Sequence, residues 1–478
     1  MTLTSRTDDG WATTRFVVLG FGTAGYACAD SLLQAGAEHV IVVDDRDNED
    51  LRDKGQILEV LGATITLGPG STATLPPEVD VVVTSPGVPP TAPLLAQAAG
   101  REVPIWSEIE LAWRLRDPAG AAPWLCVTGT NGKTTTVQML TAILTAAGHR
   151  AVAAGNVGLP LLEAVMDPEP YDVIAVELSS YQLHFTHSMS AHAAAVLNLA
   201  PDHIDWHGSM DAYAVDKGRI FTNCQVACVY NVADKVTEHL VEEADVIEGC
   251  RAIGFTLGTP GLSMVGLVED LLVDRAFVEQ RQTSALELAK IDDVNPPAPH
   301  NVANALAAAA LARAFGVPAA AVRDGLRGFR PDKHRIAHVA DVAGVNYVDD
   351  SKATNPHAAQ ASLLAYEHVV WIAGGQAKGA KFDELVIAAK DRLRAVVLLG
   401  QDKAVIAEAL ERHAPDVPRI VVESTDTGAM EIVVGEAAKV AQVGDTVLLA
   451  PGCASWDMFA NYGARGDAFA EAVRALAD

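Results

Sequence analysis

The chain alternates short apolar runs with amphipathic stretches, in three successive blocks. Apolar runs of four or five residues are typical of buried parallel strands, and the stretches between them have the length of helices. In the first block, strands are predicted near residues 16–19, 40–43 and 79–83, with a helix from the first glycine turn to about Ala35. Residues 1–13 are mostly polar and are predicted to form a loose tail.

The second block follows residues 117–123, a segment containing proline and glycine that is typical of a linker. Its strands are predicted at 124–127, near 172–176 and at 194–197, with a helix from Lys133 to Gly148. Residues 249–300 change to short β-like pieces, and an alanine-rich helix follows over 301–315.

A break near residues 330–331 begins the third block. Its strands are predicted near 345–348, 369–373, 396–399, 419–422 and 446–449, with helices between them. The alternation predicts an α/β protein with three domains. We predict an N-terminal Rossmann-like domain (1–118), a central P-loop domain (119–330) and a C-terminal Rossmann-like domain (331–478).

The most informative motif is a glycine loop between a predicted strand and a predicted helix. It comprises Gly129, Thr130, Asn131, Gly132, Lys133, Thr134 and Thr135. Backbone N–H groups in such a loop surround phosphate oxygens, and the helix N-terminus adds positive potential. Lys133 is expected to reach the outer phosphates of ATP, and the Thr134 hydroxyl to bind Mg²⁺. Val127 stands where the standard pattern has its first glycine, so an ordinary strand-to-helix turn is the alternative.

A second glycine turn contains Gly20, Gly22 and Gly25, and Asp44 follows about twenty residues later. This spacing matches the dinucleotide fingerprint of nicotinamide-dependent dehydrogenases. A nucleotide-sugar diphosphate satisfies the same physical requirement, and we rank it first because the chain already contains a separate ATP-type loop. A turn without a ligand is the third interpretation.

Polar residues follow the predicted strands of the second block, where ligands of open parallel sheets bind. Glu177 could hold Mg²⁺, or it could be a capping or surface glutamate. His203 could be a metal ligand or proton handler, or an ordinary loop histidine. Lys217, without further argument, is as well explained by a solvated helix lysine.

Three polar loops follow strands of the third block, at 349–356, 374–378 and 451–459. Because the carboxyl ends of parallel strands meet at one edge of a sheet, the three loops together predict one convergent pocket. Turn chemistry explains any one loop alone.

Composition limits the possible partners and location. A formal charge of −26 over 478 residues argues against nucleic-acid binding. No apolar run reaches the ~18 residues of a membrane span, and residues 1–11 do not resemble a secretory signal. The six cysteines, Cys224 and Cys228 included, are interpreted as free thiols. These features favour a cytoplasmic protein, which we take to be a monomer.

Taken together, these motifs resemble the Mur ligases, the ATP-dependent enzymes that add amino acids to peptidoglycan precursors. Gly-Thr-Asn-Gly-Lys-Thr-Thr and Asp202-His203-Ile204-Asp205 are shared across the family. Residues 177–183, 350–355 and 453–459 are more specific and indicate the member that adds D-glutamate. Departures from the family pattern are Ala298, Tyr181, Tyr462 and the turn at 331–333.

The resemblance implies a ligase that joins D-glutamate to UDP-N-acetylmuramoyl-L-alanine, with ATP as co-substrate and two Mg²⁺ ions. Catalysis is assigned to Lys133, Glu177, His203 and Lys217. The metal ligands are Thr134, Glu177, His203 and Lys217, the last as a carbamate. Besides the glycine loop, ATP is assigned to Asn301, Asn304, Arg335 and Asp350. The UDP substrate is assigned to Thr23, Asp44, Asp45, Arg46, Ser85, Pro86, Gly87, Asn156 and Ser179. D-Glutamate is assigned to Lys352, Thr354, Lys378, Ser455 and Tyr462.

Three other functions stay open: a ligase for a different amino acid, a nicotinamide-dependent dehydrogenase built on the first glycine turn, and a nucleotide-binding regulator without activity.

Overall fold

The computed structural model describes residues 3, 5, 10–117, 119–424, 426 and 428–477. Residue 477 is described by its backbone only. Over these residues the strands form three sheets. The chain divides into two compact units: unit 1 comprises Met1–Pro297 and Asn301–Phe329, and unit 2 comprises Ala298–His300 and Arg330–Asp478. The domain boundaries predicted at residues 118 and 330 stay predictions.

The first sheet of unit 1 is entirely parallel. Its strands are β1 (Arg15–Leu19), β2 (His39–Asp44), β3 (Thr64–Leu67), β4 (Val81–Thr84) and β5 (Ile105–Ser107), in the order β3-β2-β1-β4-β5. The accompanying helices are α1 (Gly10–Thr13), α2 (Thr23–Gln34), α3 (Glu49–Val60), α4 (Pro93–Gly100) and α5 (Glu108–Leu115). The three strands predicted here are confirmed within two residues, and so is the helix after the first turn.

The predicted loose tail is wrong for the part of residues 1–13 that the structure describes; residues 1, 2, 4 and 6–9 lie outside it. Trp11 is only 1% exposed, and its ring stacks on Phe16 with 5.8 Å between centroids. Its Nε1 donates to the Ser5 carbonyl at 2.8 Å, and Leu3 is buried as well. Leu3 and Trp11 stand among polar neighbours and give no periodic pattern that would predict structure. A single indole nevertheless buries enough apolar area to hold the segment against the domain.

The second sheet of unit 1 is parallel around the glycine loop and antiparallel at one end, where β12, β13 and β14 pair. Its strands are β6 (Trp124–Thr128), β7 (Ala151–Gly155), β8 (Val173–Glu177), β9 (Ala193–Val196), β10 (Ala227–Asn231), β11 (Arg251–Phe255), β12 (Met264–Val268), β13 (Leu271–Asp274) and β14 (Leu286–Lys290). Their order is β14-β13-β12-β11-β10-β9-β6-β8-β7. Because β6 lies between β8 and β9, the loops after these two strands flank the glycine loop.

The helices of this region begin with α6 (Lys133–Ala146), which confirms the predicted start at Lys133. The others are α7 (Leu161–Met166), α8 (Ser180–His184), α9 (Ile204–His207), α10 (Met210–Gly218), α11 (Lys235–Glu242), α12 (Pro299–Ala314) and α13 (Ala319–Gly328). Helix α13 packs closely on α6 because Gly325 has no side chain: a Cβ there would lie 2.4 Å from the Ile143 Cα. Short 3-10 turns occur at Arg219–Phe221 and Ile291–Asp293.

Unit 2 contains the third sheet. Its strands are β15 (Ala337–Val342), β16 (Val345–Asp349), β17 (Val369–Gly374), β18 (Leu393–Leu399), β19 (Arg419–Val421) and β20 (Thr446–Leu449), in the order β15-β16-β20-β17-β18-β19. Only the β15–β16 pair is antiparallel among the described strands of this sheet. Its helices are α14 (Pro356–Leu363), α15 (Asp383–Ala389), α16 (Lys403–His413), α17 (Ala429–Val440) and α18 (Tyr462–Ala477), with a 3-10 turn at Lys390–Arg392.

All five strands predicted for this region are confirmed, although β18 begins three residues earlier than expected. Strand β15 and the bounds of α18 were not predicted. Across the described residues of both units, no helix has the length and apolar character needed to cross a membrane.

Candidate active site

The glycine loop of unit 1 has the backbone shape of a phosphate-binding loop. Gly129 and Gly132 have φ angles of +152° and +83°, and Gly132 is the N-cap of α6. The positive φ of Gly132 favours glycine, and a Cβ there would lie 2.3 Å from Asn304 Oδ1, so the Asn304 side chain would have to move. Thr134 and Thr135, in the first turn of α6, are buried. The loop therefore places a helix N-terminus at the carboxyl end of a central strand.

Two neighbouring strand ends hold this loop in place. Asn198, which follows β9, accepts the Asn131 N–H at its Oδ1 (2.9 Å) and donates from Nδ2 to the Asn131 carbonyl (3.1 Å). The Thr130 hydroxyl lies 3.2 Å from the Ala200 carbonyl and 3.0 Å from the Tyr213 hydroxyl. These hydrogen bonds hold the loop in its shape without a ligand, and a preorganised loop stabilises charge more strongly than one that must rearrange.

Two lysine amines lie against the same loop. Lys133 Nζ donates to the carbonyls of Gly129 and Thr130, at 3.0 Å each. Lys217, on α10, donates to the Gly129 carbonyl at 2.9 Å and to the Thr128 hydroxyl at 3.4 Å. Lys217 is 2% exposed, which excludes a solvated helix lysine. Burial lowers the pKa of Lys217 well below its ordinary value, and the nearby charge of Lys133 lowers it further.

Glu177, the last residue of β8, is 2% exposed, so it is not a surface glutamate. Its Oε1 accepts from Asn156 Nδ2 at 2.9 Å. Its Oε2 is buried without a hydrogen-bond partner among the described residues. Burying a carboxylate oxygen without a hydrogen-bond partner costs free energy, because the oxygen has lost its contacts with solvent. A bound cation or a water molecule would offset that cost.

A hydrogen-bonded network fixes the helix that carries Lys217. Asp216 Oδ2 lies 2.8 Å from both His184 Nδ1 and His207 Nδ1, and His207 Nε2 is 2.9 Å from the Ser180 hydroxyl. Burial would raise the pKa of Asp216, but the hydrogen bonds with the two histidines outweigh it and lower the pKa to about 2. Sequence reasoning missed this network, because its members are far apart in the chain.

His203 occupies a different position from these two histidines. It is the N-cap of α9, its φ is +55°, and its side chain is 42% exposed. Its ring centroid is 4.9 Å from that of Tyr181, and its Nε2 lies 3.5 Å from Asp202. The structure thus places His203 in the loop after β9, beside the phosphate loop, while its predicted role in metal binding stays a prediction.

The two asparagines predicted for ATP lie on α12. Asn304 is buried against Gly132, and its Nδ2 is 3.5 Å from Asn301 Oδ1. Asn301 Nδ2 also donates to the Pro296 carbonyl at 3.3 Å. This pair therefore lies next to the start of α6.

The N-terminal glycine turn is held by a carboxylate. Asp44, 5% exposed at the end of β2, accepts the Phe21 N–H at 2.7 Å. Arg46 forms two side-chain contacts with the same carboxylate, at 3.0 and 2.6 Å. Burial would raise the pKa of Asp44, but the bonds from Arg46 and Phe21 outweigh it and lower the pKa to about 2. The Arg46 side chain is 61% exposed, so its charge stays available beside the turn.

Other residues predicted for the UDP substrate lie at the same edge of the first sheet. Ser85, Pro86 and Gly87 follow β4, and the Ser85 hydroxyl donates to the Gly20 carbonyl at 3.1 Å. Thr23 is the first residue of α2. Asp45 accepts from the Thr72 hydroxyl at 2.6 Å and so fastens the segment after β3.

Two of the predicted substrate residues lie instead in the second sheet. Asn156 follows β7 and contacts Glu177. Ser179 caps α8 by accepting the Gln182 N–H at 3.3 Å. Both lie on the glutamate side of the phosphate loop.

Unit 2 brings its three polar loops together. Gln376 and Ala454 exchange backbone hydrogen bonds of 2.9 and 3.0 Å, and Gly452 N donates to the Ala353 carbonyl at 2.8 Å. Arg465, 1% exposed, donates to the Ser351 carbonyl at 2.8 Å and to the Cys453 carbonyl at 3.1 Å. Sequence reasoning missed Arg465. A cation in the first turn of the last helix has no local signal for burial.

Four of the five residues predicted for D-glutamate lie on these loops, and Tyr462 is the first residue of α18. Lys352 Nζ lies 4.2 Å from the Tyr462 ring centroid, and Lys378 Nζ lies 4.1 Å from that of Trp456. Ser455 is buried, and Thr354 is half-buried with its N–H on the Lys352 carbonyl at 2.8 Å. Lys352 and Lys378 therefore place an ammonium group on each of two loops at the same edge of the sheet, and positive charge there favours an anion.

The two predicted ATP residues of unit 2 are adjacent to each other. Asp350, at the end of β16, is 7% exposed and accepts hydrogen bonds from the Ile336 N–H (3.3 Å) and the Ser362 hydroxyl. Burial raises the pKa of Asp350 to about 6. Arg335 is half-buried, and its charge acts on Asp350.

Comparisons with known proteins agree with this arrangement. Three family models match in succession: the Mur ligase MurD-like N-terminal domain at residues 14–107, the Mur ligase middle domain at 127–312, and the Mur ligase glutamate ligase domain at 334–453. A protein from Streptomyces avermitilis is 65% identical over 98% of this chain and 99% of its own length. One from Thermobifida fusca is 56% identical over 97% of this chain and 98% of its own.

The solved structure of a pseudomurein peptide ligase type C from Methanothermus fervidus has the same fold. It aligns with a TM-score of 0.59 at 17% identity, over 97% of this chain and 99% of that one. The chain therefore belongs to the Mur ligase family, and the predicted α/β class with three domains is confirmed. Within that family, the relatives from Streptomyces avermitilis and Thermobifida fusca both carry the name UDP-N-acetylmuramoylalanine–D-glutamate ligase.

Proposed function

We propose that this chain is the ATP-dependent, ADP-forming ligase that joins D-glutamate to UDP-N-acetylmuramoyl-L-alanine in peptidoglycan precursor synthesis. The observation that carries the proposal is the group of Lys133, Lys217 and Glu177 around one rigid phosphate loop. Identity of 65% over nearly the whole chain to a relative of that name supports the choice of amino acid.

The reaction requires activation of a carboxylate, because a carboxylate oxygen is a poor leaving group. The carboxylate of the L-alanyl group attacks the γ-phosphorus of ATP, which gives an acyl phosphate and ADP. The D-glutamate amine then attacks the acyl carbon, loses a proton and expels phosphate. The protein's part is to position the reactants and to offset negative charge.

The residues present suit Mg²⁺. Glu177 Oε2 has no hydrogen-bond partner among the described residues, and hard oxygen ligands are those that Mg²⁺ prefers. Thr134, Glu177, His203 and carbamylated Lys217 would together hold the two ions. When bound, Mg²⁺ supplies positive charge that offsets the charge of the phosphates.

The environment of Lys217 supports the carbamate that the family resemblance implies. Carbon dioxide reacts with a neutral amine, and burial of Lys217 favours the neutral form. Attack of the neutral amine on carbon dioxide forms an N–C bond and releases one proton, which leaves a carboxylate whose two oxygens share one negative charge. The modification would therefore turn an uncharged side chain into an anionic one with oxygen ligands for a metal ion.

We assign the UDP substrate to the N-terminal glycine turn of unit 1 and D-glutamate to the polar loops of unit 2. The exposed guanidinium of Arg46 beside the N-terminal turn suits a nucleoside diphosphate. The Lys352 and Lys378 ammonium groups of unit 2 suit the two carboxylates of glutamate.

The deciding experiment measures phosphate release from ATP with UDP-N-acetylmuramoyl-L-alanine and a panel of single amino acids. We expect release with D-glutamate and little with L-glutamate, L-lysine or diaminopimelate. Preference for another amino acid would indicate a sibling ligase, and hydride-transfer absorbance with a nicotinamide cofactor would indicate a dehydrogenase. No release with any amino acid would favour a regulator without activity.

A further inference from the structure

A group of three cysteines lies away from the residues assigned to the reaction. The sulfur atoms of Cys224, Cys228 and Cys250 all lie within 4.8 Å of one another. The sulfurs of Cys228 and Cys250 are separated by 3.8 Å. The thiols of all three are free in the structure.

The group is located at the amino ends of two adjacent parallel strands. Cys228 is the second residue of β10, Cys224 precedes that strand, and Cys250 immediately precedes β11. The phosphate loop follows the carboxyl end of β6 in the same sheet. Because β6, β9 and β10 are parallel, the cysteines lie at the edge of the sheet opposite the phosphate loop. The proposed mechanism assigns no role to a residue at that edge.

Backbone hydrogen bonds hold the three positions before any ligand binds. Ile247 N donates to the Cys224 carbonyl at 3.0 Å, and Cys250 N donates to the Ile247 carbonyl at 3.0 Å. Arg251 N donates to the Val226 carbonyl at 3.0 Å, which fixes the start of β11 beside β10. These hydrogen bonds therefore join the segment before β10 to the segment before β11, and these two segments supply the sulfurs. A site that is already ordered loses less conformational entropy when an ion binds.

The spacing of the sulfurs suits a metal ion better than a disulfide. Thiolates on one zinc ion lie about 3.8 Å apart when each Zn–S bond is about 2.3 Å and the geometry is tetrahedral. A disulfide requires its sulfurs to approach to about 2.05 Å. The observed 3.8 Å between Cys228 and Cys250 matches the first distance.

The surroundings allow an ion to enter. Cys224 and Cys228 are buried, whereas Cys250 is half-exposed. The segment before Cys250 carries four exposed carboxylates, at Glu242, Glu243, Asp245 and Glu248. Negative charge on this segment raises the local concentration of cations near the partly exposed Cys250.

We propose that Cys224, Cys228 and Cys250 form a three-thiolate site for a thiophilic metal ion of the zinc class, with water as the fourth ligand. Binding forms three metal–sulfur bonds and releases the three thiol protons to solvent, with no change of oxidation state. The bound ion would join the loop at 243–250 to β10 and stabilise this end of the sheet. The inference does not depend on the proposed ligase activity.

The test uses Cd²⁺ as the probe, added to the full-length protein after reduction and removal of metals. We expect a sulfur-to-cadmium charge-transfer band in the ultraviolet that saturates at one ion per chain and persists in excess Mg²⁺. Cys250→Ser should lose more than about tenfold in Cd²⁺ affinity, because even the loss of a residue that only supports a metal ligand typically costs about 10–100-fold. Cys28→Ser, which changes a buried cysteine of α2 outside the group, should bind as the unchanged protein does.

A second measurement needs no variant. Cd²⁺ should slow alkylation of the partly exposed Cys250 thiol in the native protein, as read by mass spectrometry of peptides. Absence of the band, Cd²⁺ binding that Cys250→Ser leaves unchanged, or alkylation rates that Cd²⁺ does not alter would each overturn the proposal.

Discussion

The two glycine turns of unit 1 share a local design and differ in their electrostatics. Each follows a parallel strand and opens a helix, at β1–α2 and at β6–α6. In the first turn, the carboxylate of Asp44 accepts the Phe21 N–H and is itself covered by Arg46. In the second, amines from Lys133 and Lys217 donate to loop carbonyls.

This difference shows why a glycine fingerprint does not specify a ligand. The first turn presents one exposed guanidinium, which suits a diphosphate that is bound and left intact. The second presents two amines and a buried glutamate, a set suited to phosphoryl transfer. Strand, turn and helix are local, but the side chains that decide the chemistry arrive from other strands.

The largest expected effect tests whether the second glycine turn carries out the phosphoryl transfer. Lys133→Ala should reduce phosphate release by about a thousandfold, because a preorganised donor to the transferred group is lost. Lys54→Ala, at an exposed lysine paired with Asp50, serves as the control and should retain full activity. Activity of Lys133→Ala within tenfold of the unchanged protein would contradict the assignment of this loop.

The second expected effect concerns Lys217. Activity should fall by at least about tenfold in buffer free of carbon dioxide and return with bicarbonate, because the carbamate oxygens are lost and regained. Lys217→Arg, which cannot form the carbamate, should be inactive and insensitive to bicarbonate. Lys235→Arg, at an exposed lysine of α11, is the matched control. Full activity after rigorous degassing would exclude the carbamate.

The third expected effect is on the stability of the folded protein in acid, and it tests the role of the Asp44 carboxylate in the first glycine turn. The folded-state pKa of Asp44 is about 2, below its ordinary 3.8, so the ionised group stabilises the fold above pH 3.8. That contribution, about 2 kcal/mol, is lost as the pH falls through about 2. Denaturant unfolding of the unchanged protein and of Asp44→Asn should therefore differ at neutral pH and converge in acid. A difference that stays constant with pH would show that the Asp44 charge is not the cause.

The smallest expected effect belongs to Arg46. Arg46→Ala should raise KM for the UDP substrate about tenfold and change kcat less than about twofold, because the contact is uniform through the reaction. Arg52→Ala removes an equally exposed arginine, paired with Asp47, and should leave both constants unchanged. A fall in kcat equal to the fall in kcat/KM would place Arg46 in the chemical step instead.

Strand and helix positions were predicted well because their signals are local. The runs at 16–19, 40–43 and 446–449 are apolar on both faces, and such runs become buried parallel strands whatever surrounds them. Trp11 was placed wrongly, because a single aromatic residue carries no period. Cys250 was not grouped with Cys224 and Cys228, because Cys250 lies 22 positions after Cys228 and only the pairing of β10 with β11 brings the two together.

The sequence by itself determined the α/β class, the phosphate loop and the family resemblance, since each depends on residues adjacent in the chain. Only the tertiary structure decided that Lys217 is buried, that Glu177 Oε2 lacks a partner among the described residues, and that Arg465 joins the loops of unit 2. These properties depend on desolvation and on neighbours from distant strands. Burial and contact are set when a sheet assembles, and no window of sequence contains them.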